Sequence, residues 1–164
     1  MINRPSNEEA GTTMPEVLIA ALLLAVFFAS IFELNAVCLR YIDASKESVA
    51  GLQLAQDRSE TLRNLAFNDL TNTSYLQSLL SAPANASEFA KKATEVVTIS
   101  AYPTANGVTQ FTRSPNGTVT NNSTASSLGT TLVQVDVASS WMMTFGSRAR
   151  SEQITSIISN GTKK

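Results

Sequence analysis

The hydrophobic positions of this chain fall into three successive patterns. From Val17 to Phe32 every residue except Ser30 is apolar. Beyond that run, Ala36, Cys38, Leu39, Ile42, Val49, Leu52, Ala55, Leu62 and Leu65 return at three- and four-residue steps, the spacing of one helix face. No proline lies between Pro15 and Pro83, and Gly51 is the one glycine in that interval. The pattern predicts a single helix from about Thr13 to about Asp69. Its N-terminal third is apolar all round, and its remainder is amphipathic, with Arg40, Asp43, Lys46, Glu47, Asp57, Arg58 and Arg63 on the wet side. At ~1.5 Å per residue such a helix is roughly 85 Å long, more than a globular domain of this size needs.

Thr71-Asn72-Thr73 and Pro83 break the helix, leaving Tyr75 to Leu80 and Ser87 to Ala93 as short helical turns. From Thr94 the period becomes two. Val97, Ile99 and Ala101 alternate with Thr98 and Ser100, and Val108 to Arg113 is a second strand. Val133, Val135 and Val137 alternate with polar residues, with Trp141 on the valine face. Arg148 to Ser159 supplies a fourth strand, with Ile154, Ile157 and Ile158 as its apolar contacts. Asn106-Gly107 and Gly146 fit turns. Ser114 to Thr131, rich in Ser, Thr, Asn and Gly, reads as an exposed loop. Half-buried antiparallel strands need a cover, and the amphipathic half of the long helix is the one large candidate. The expected fold class is therefore α+β: a long N-terminal helix, membrane-embedded in its first part, packed on a small antiparallel sheet of about four strands. The divisions are 12–39 for the membrane half of the helix, 40–70 for its amphipathic half, 71–93 for a linker with helical turns, and 94–164 for a β-sheet head.

The sixteen residues from Val17 to Phe32 span roughly 24 Å, short of a ~30 Å hydrocarbon core. Thr12 to Met14 and Leu34 to Leu39 extend the run, with Glu33 and Asn35 falling near the far interface, where a charge costs less. An ordinary secretory signal would end at a turn-rich cleavage site, whereas here helical periodicity continues past the run. Glu16 stands at the lip of the run, and two readings account for it. Thr13-x-x-Glu16 has the spacing of a capping box, and Pro15 suits the first turn of a helix. Alternatively a cation meets the carboxylate. A cut after Gly11 would create one, the new α-amine on Thr12, in the same chain or in a neighbouring copy. In the second case Glu16 fixes the register of helices stacked side by side.

Glycine, a cut site, Thr13, an apolar Met14, Glu16 and then an apolar helix together resemble the class III leader of type IV pilins and type II secretion pseudopilins. The resemblance implies that residues 1–11 are a prepilin leader and that prepilin peptidase cuts between Gly11 and Thr12. Thr12 would be the N-methylated first residue and Glu16 the assembly glutamate. It also implies a pilin-like fold, with a single pass through the bacterial inner membrane and the C-terminal head in the periplasm. Other pilin or pseudopilin subunits would be met through the N-terminal helix. Removing the leader takes away one basic and two acidic side chains, leaving 11 of each from 12 and 13. The C-terminal pattern is similar to that of PilV-type minor pilins and I-type minor pseudopilins.

Composition narrows the chemistry. Charged residues are 15% of the chain and the net charge is −1, so no electrostatic signal points to nucleic acid. There is no histidine, and the single cysteine excludes an internal disulfide. No phosphate-binding glycine loop, zinc-ligand spacing or nucleophile elbow occurs, so neither an enzyme nor a cofactor is expected. Cys38 is expected as a small buried residue and Trp141 as core, while Arg148 and Arg150 are expected to face solvent. The alternative to a filament subunit is a membrane-anchored periplasmic binding module, and the two differ in their mature N-terminus.

Overall fold

In the computed structural model, which describes residues 13–161, the chain is α+β. It divides into two compact units, one ending at Ile42 and one beginning at Asp43. A single helix, α1 (Met14–Arg63), supplies the described residues of the first unit from Met14 on and the first element of the second. Pro15 sits in its opening turn, where a missing N–H has no intrahelical partner to lose. The helix ends at Arg63, earlier than the expected Asp69. Short helices follow: α2 (Phe67–Leu70), α3 (Thr73–Ser81) and α4 (Glu88–Lys92). Asn72, expected as a breaker, is the cap of α3. Its side chain accepts from the backbone N–H groups of Ser74 at 3.1 Å and Tyr75 at 3.2 Å. Ser87 does the same for α4 through the Ala90 N–H.

Five antiparallel strands complete the second unit: β1 (Thr94–Ala101), β2 (Val108–Arg113), β3 (Val119–Ser123), β4 (Leu132–Met142) and β5 (Ala149–Ser159). Their order is β3-β2-β1-β4-β5. The four expected strands are present, and β3 is an addition that corrects the reading of Ser114 to Thr131 as a loop. Ser114 donates to the Thr118 carbonyl at 2.8 Å, Gly117 takes a φ of 85°, and the chain turns back so that Val119 lies opposite Arg113. Asn122, a poor strand former on propensity, donates to the Gln110 and Thr112 side chains of β2. Backbone pairing and amide bonds thus make a strand where no apolar alternation marks one.

β4 buries every second residue, and the Val133, Val135, Val137 face joins Val97, Ile99 and Phe111 in the core. Ala55 and Leu62 of α1 pack into the same core, with Leu70, Leu76 and Leu80 from the short helices. Trp141 is 6% exposed, as its place on the valine face implies, and Ile158 is buried. Ile157, expected among the apolar contacts of β5, is half exposed because strand alternation puts it on the opposite face from Ile158.

Arg58 departs from its expected place on the wet side of the helix, being 2% exposed. It stands four residues from both Leu54 and Leu62, which puts it on the buried stripe. Glu95 of β1, 1% exposed on the strand face that carries Val97 and Ile99, meets it at 2.8 Å. Arg58 also donates to the Ala82 carbonyl at 2.7 Å, tying the 71–93 connection to the helix.

Candidate functional site

Two regions carry features that packing does not use up. The first is the apolar segment of α1. Between Val17 and Phe32, eleven large apolar side chains are each at least 43% exposed. Its most apolar window has a mean hydropathy of 2.6 and is not buried at all. Covering eleven such side chains is worth roughly 15–30 kcal/mol at about 1.5–3 kcal/mol each. That exceeds the ~5–15 kcal/mol that holds a whole domain folded, so the segment needs an apolar environment outside its own chain. The helix that carries it, Met14–Arg63, is long and apolar enough to cross a membrane by length and composition. Ser30 does not spoil it, since its hydroxyl donates to the Val26 carbonyl at 2.9 Å within the helix.

Glu16 lies in the first turn of this helix and is exposed. Its own N–H donates to the Thr13 carbonyl at 2.9 Å, and that of Val17 donates to the same oxygen at 3.2 Å, which opens the helix at Thr13. A carboxylate there is favoured by the positive end of the helix dipole. Gly11 and Thr12 lie outside the described residues. Cys38 is exposed, which corrects the expectation of a buried thiol. In a segment that buries nothing on its own chain, a small apolar residue has no interior to enter. Arg148 and Arg150 are exposed as expected.

The second region was not legible as a site in the sequence. In the second unit, a cleft of about 350 Å³ is lined by Glu47, Glu88, Phe89, Lys92, Trp141, Met142 and Thr144. The turn from β4 to β5 is fixed beside it. Glu47 Oε1 accepts both the backbone N–H of Thr144, at 3.1 Å, and its hydroxyl. Met143 donates to the Arg148 carbonyl at 2.9 Å, closing the turn, and Gly146 and Ser147 inside it take positive φ. Phe89 meets the Trp141 ring edge-on with centroids 5.1 Å apart. Two of the lining residues each carry a buried polar atom without a hydrogen-bond partner, Glu47 Oε2 and Trp141 Nε1. Glu88 pairs with Lys91 at 2.6 Å, and that hydrogen bond and charge hold its carboxyl below the usual 4.5. The sequence signal available was the spacing of Glu47 from Gly51 on one helix face, with a single tryptophan to meet it.

Among the described residues no cluster of three or more His, Cys, Asp or Glu side chains is arranged to hold a metal ion. Comparison of the chain with family models, with curated proteins and with solved structures finds no match.

Proposed function

We propose that this chain is a structural subunit of a type IV pilus or a type II secretion pseudopilus, of the minor kind. It would be held in the inner membrane by the apolar part of α1 and assembled after leader cleavage. The observation that carries the reading is the joining, in one helix of 50 residues, of a fully exposed apolar segment to the element that packs a five-stranded sheet. A segment with that surface serves two states equally: dispersed, its neighbours are lipid tails, and assembled, they are the same segments of other subunits. The motif from Gly11 to Glu16 supports processing by a prepilin peptidase and N-methylation at Thr12. Glu16 would then accept the α-amine of a neighbour and set the axial step between subunits.

The test is the mature N-terminus together with one substitution. Mass spectrometry of the protein from its own cells should find Thr12 as the first residue. Glu16→Ala should leave the chain folded and membrane-inserted but exclude it from the filament. An intact Met1, or a cut beyond Ala29, would overturn the processing. Normal incorporation of the alanine variant would overturn the register role.

A further inference from the structure

We propose that the outer edge of β5 receives an extended segment of a different protein, added as a sixth, antiparallel strand. That segment carries a large apolar side chain towards its start and an acidic one towards its end. The inference goes beyond the filament reading and does not need it, because every residue it uses lies in the second unit.

β5 ends the strand order and has β4 on one side only. The two bonds that flank this pair show which of its backbone groups are used. The Asn160 N–H donates to the Thr131 carbonyl at 2.7 Å, and the Met143 N–H donates to the Arg148 carbonyl at 2.9 Å. Both continue the unbroken register in which Val133 faces Ile158 and Trp141 faces Arg150. Backbone direction alternates along an antiparallel strand, so the even-numbered residues of β5 turn their N–H and C=O groups to β4. Ala149, Ser151, Gln153, Thr155, Ile157 and Ser159 turn theirs outward, and all six are exposed.

The two edges of the sheet are not alike. β3, at the other end of the order, is five residues long, and its register with β2 shifts between Gln110 and Phe111. A short, irregular edge of that kind discourages pairing. β5 is eleven residues long, keeps one register with β4 throughout, and has no proline or lysine. From Gln153 to Ser159 it carries no charge. Native sheets seldom leave such an edge bare.

Each end of the edge adds a selecting feature. At the Ser159 end, a hollow of about 440 Å³ is lined by Leu65, Ala66, Phe67 and Ile158 among others, and by no residue of β4. At the other end, Arg148 and Arg150 are exposed and form no ion pair among the described residues, with Glu152 alone beside them on the strand. Ile158 and Arg150 lie eight residues apart on one face of the sheet, roughly 27 Å at ~3.4 Å per residue. A strand held by the outward backbone groups sets one side chain at the hollow and another, eight residues later, beside the arginines. The first site suits an apolar anchor and the second a carboxylate. In strand addition the backbone bonds supply affinity and the side-chain sites supply the choice.

A second copy of this chain does not meet these terms. Its β5, paired antiparallel over the full length, sets Arg150 opposite Ile158 at the hollow and brings no carboxylate to the arginines. Its β3 has no charged residue at all.

The probe is a fluorescent synthetic ten-residue peptide with leucine second, aspartate last, and threonine and valine alternating between them. Its anisotropy should rise and saturate with the detergent-solubilised full chain. Methylating the alternate peptide nitrogens that face β5 should abolish binding, and methylating the other set should leave it. Gln153→Pro removes one outward N–H and spares the ladder to β4, and it should weaken binding roughly tenfold. Arg148→Glu with Arg150→Glu should lower affinity for the aspartate peptide and raise it for one ending in lysine, a reversal that misfolding does not produce. No binding to the parent chain, indifference to which nitrogens are methylated, or no reversal of the charge preference would overturn the proposal. So would a dimer of the parent chain in sedimentation that Gln153→Pro dissociates, since the edge would then belong to a second copy.

Discussion

Gly51 and Trp141 touch where α1 lies over β4, and the contact leaves no room for a side chain on the helix. A Cβ built on Gly51 would stand 2.4 Å from Cζ3 of the indole and 2.5 Å from Cη2. Ser139, two residues before Trp141 on the same strand face, donates to the Gly51 carbonyl at 2.8 Å. One residue thus presents its bare Cα to an aromatic face and its carbonyl to a hydroxyl. Glycine costs about 1 kcal/mol against alanine in a helix interior, and the close approach of helix to sheet is what that cost obtains.

Gly51→Ala is therefore expected to destabilise the head despite its gain in helix propensity. Overpacking costs about 1–3 kcal/mol, against which propensity returns about 1 kcal/mol. A net loss near 1 kcal/mol should appear in urea unfolding followed by Trp141 fluorescence, and a leucine at the same position should cost several times more. An alanine variant as stable as the parent would show that the indole turns aside freely.

The buried pair Arg58–Glu95 gives a second expectation. Each partner is at most 2% exposed, and they meet at 2.8 Å. Glu95 lies opposite Arg113 of β2, itself 4% exposed, whose NH1 donates to the Ala90 carbonyl at 3.2 Å. Removing either member of the pair strands a charge inside, at a cost of about 3–5 kcal/mol. Arg58→Met and Glu95→Leu should each destabilise by that order. The double variant should be clearly more stable than the two losses added together, because neither charge is then left alone. Additive losses in a double-mutant cycle would mean that the two side chains act independently.

How legible these contacts were in the sequence varies with the physics behind them. The period-two runs of β1 and β4 announced themselves because one face of each is buried, and burial is what writes a pattern. β3 has no such face, as Asn121 and Asn122 are exposed, and so it read as a loop. Arg58 was misplaced although its spacing from Leu54 and Leu62 was in view, since a charge is assigned to water unless a partner is known. That partner, Glu95, is 37 residues away. Cys38 failed for the opposite reason: burial was expected in a segment whose covering surface is not part of this chain. The cleft residues Glu47, Phe89 and Trp141 come from α1, α4 and β4, and only the fold brings them together.

Glu88 offers a pH-dependent check on the rim of the cleft. Its hydrogen bond to Lys91, and the charge behind it, hold its carboxyl below the ordinary 4.5. A depressed carboxyl favours the folded state above the unfolded value, and that contribution disappears as pH falls through the folded value. The pair is exposed, so solvent screens it and its weight in global stability is negligible. The local signature is what should be measured. In an NMR titration of the full chain, Lys91→Ala should move the Glu88 midpoint up towards 4.5. Salt should do the same in the parent. A midpoint indifferent to both would show that the ion pair is not formed in solution.

The apolar segment gives the last expectation, and it separates anchoring from folding. Leu23 and Phe27 lie four residues apart on α1, 62% and 59% exposed, midway along the run from Val17 to Phe32. An arginine or aspartate at the centre of a span costs about 2.5–3.5 kcal/mol on insertion scales. Leu23→Arg with Phe27→Asp places two such charges on one face of the helix. The pair would partly neutralise across one helical turn, so Leu23→Arg with Phe27→Arg is the stronger challenge. The parent chain should stay with membranes through alkaline extraction, and the double-arginine variant should be released. The core of the second unit includes no residue of this segment, so Trp141 emission and the urea midpoint of the released variant should match those of the parent. Release with an unchanged head identifies the segment as an anchor that takes no part in folding the sheet. Retention of the double-arginine variant would mean that something other than the apolar run holds the chain to the membrane.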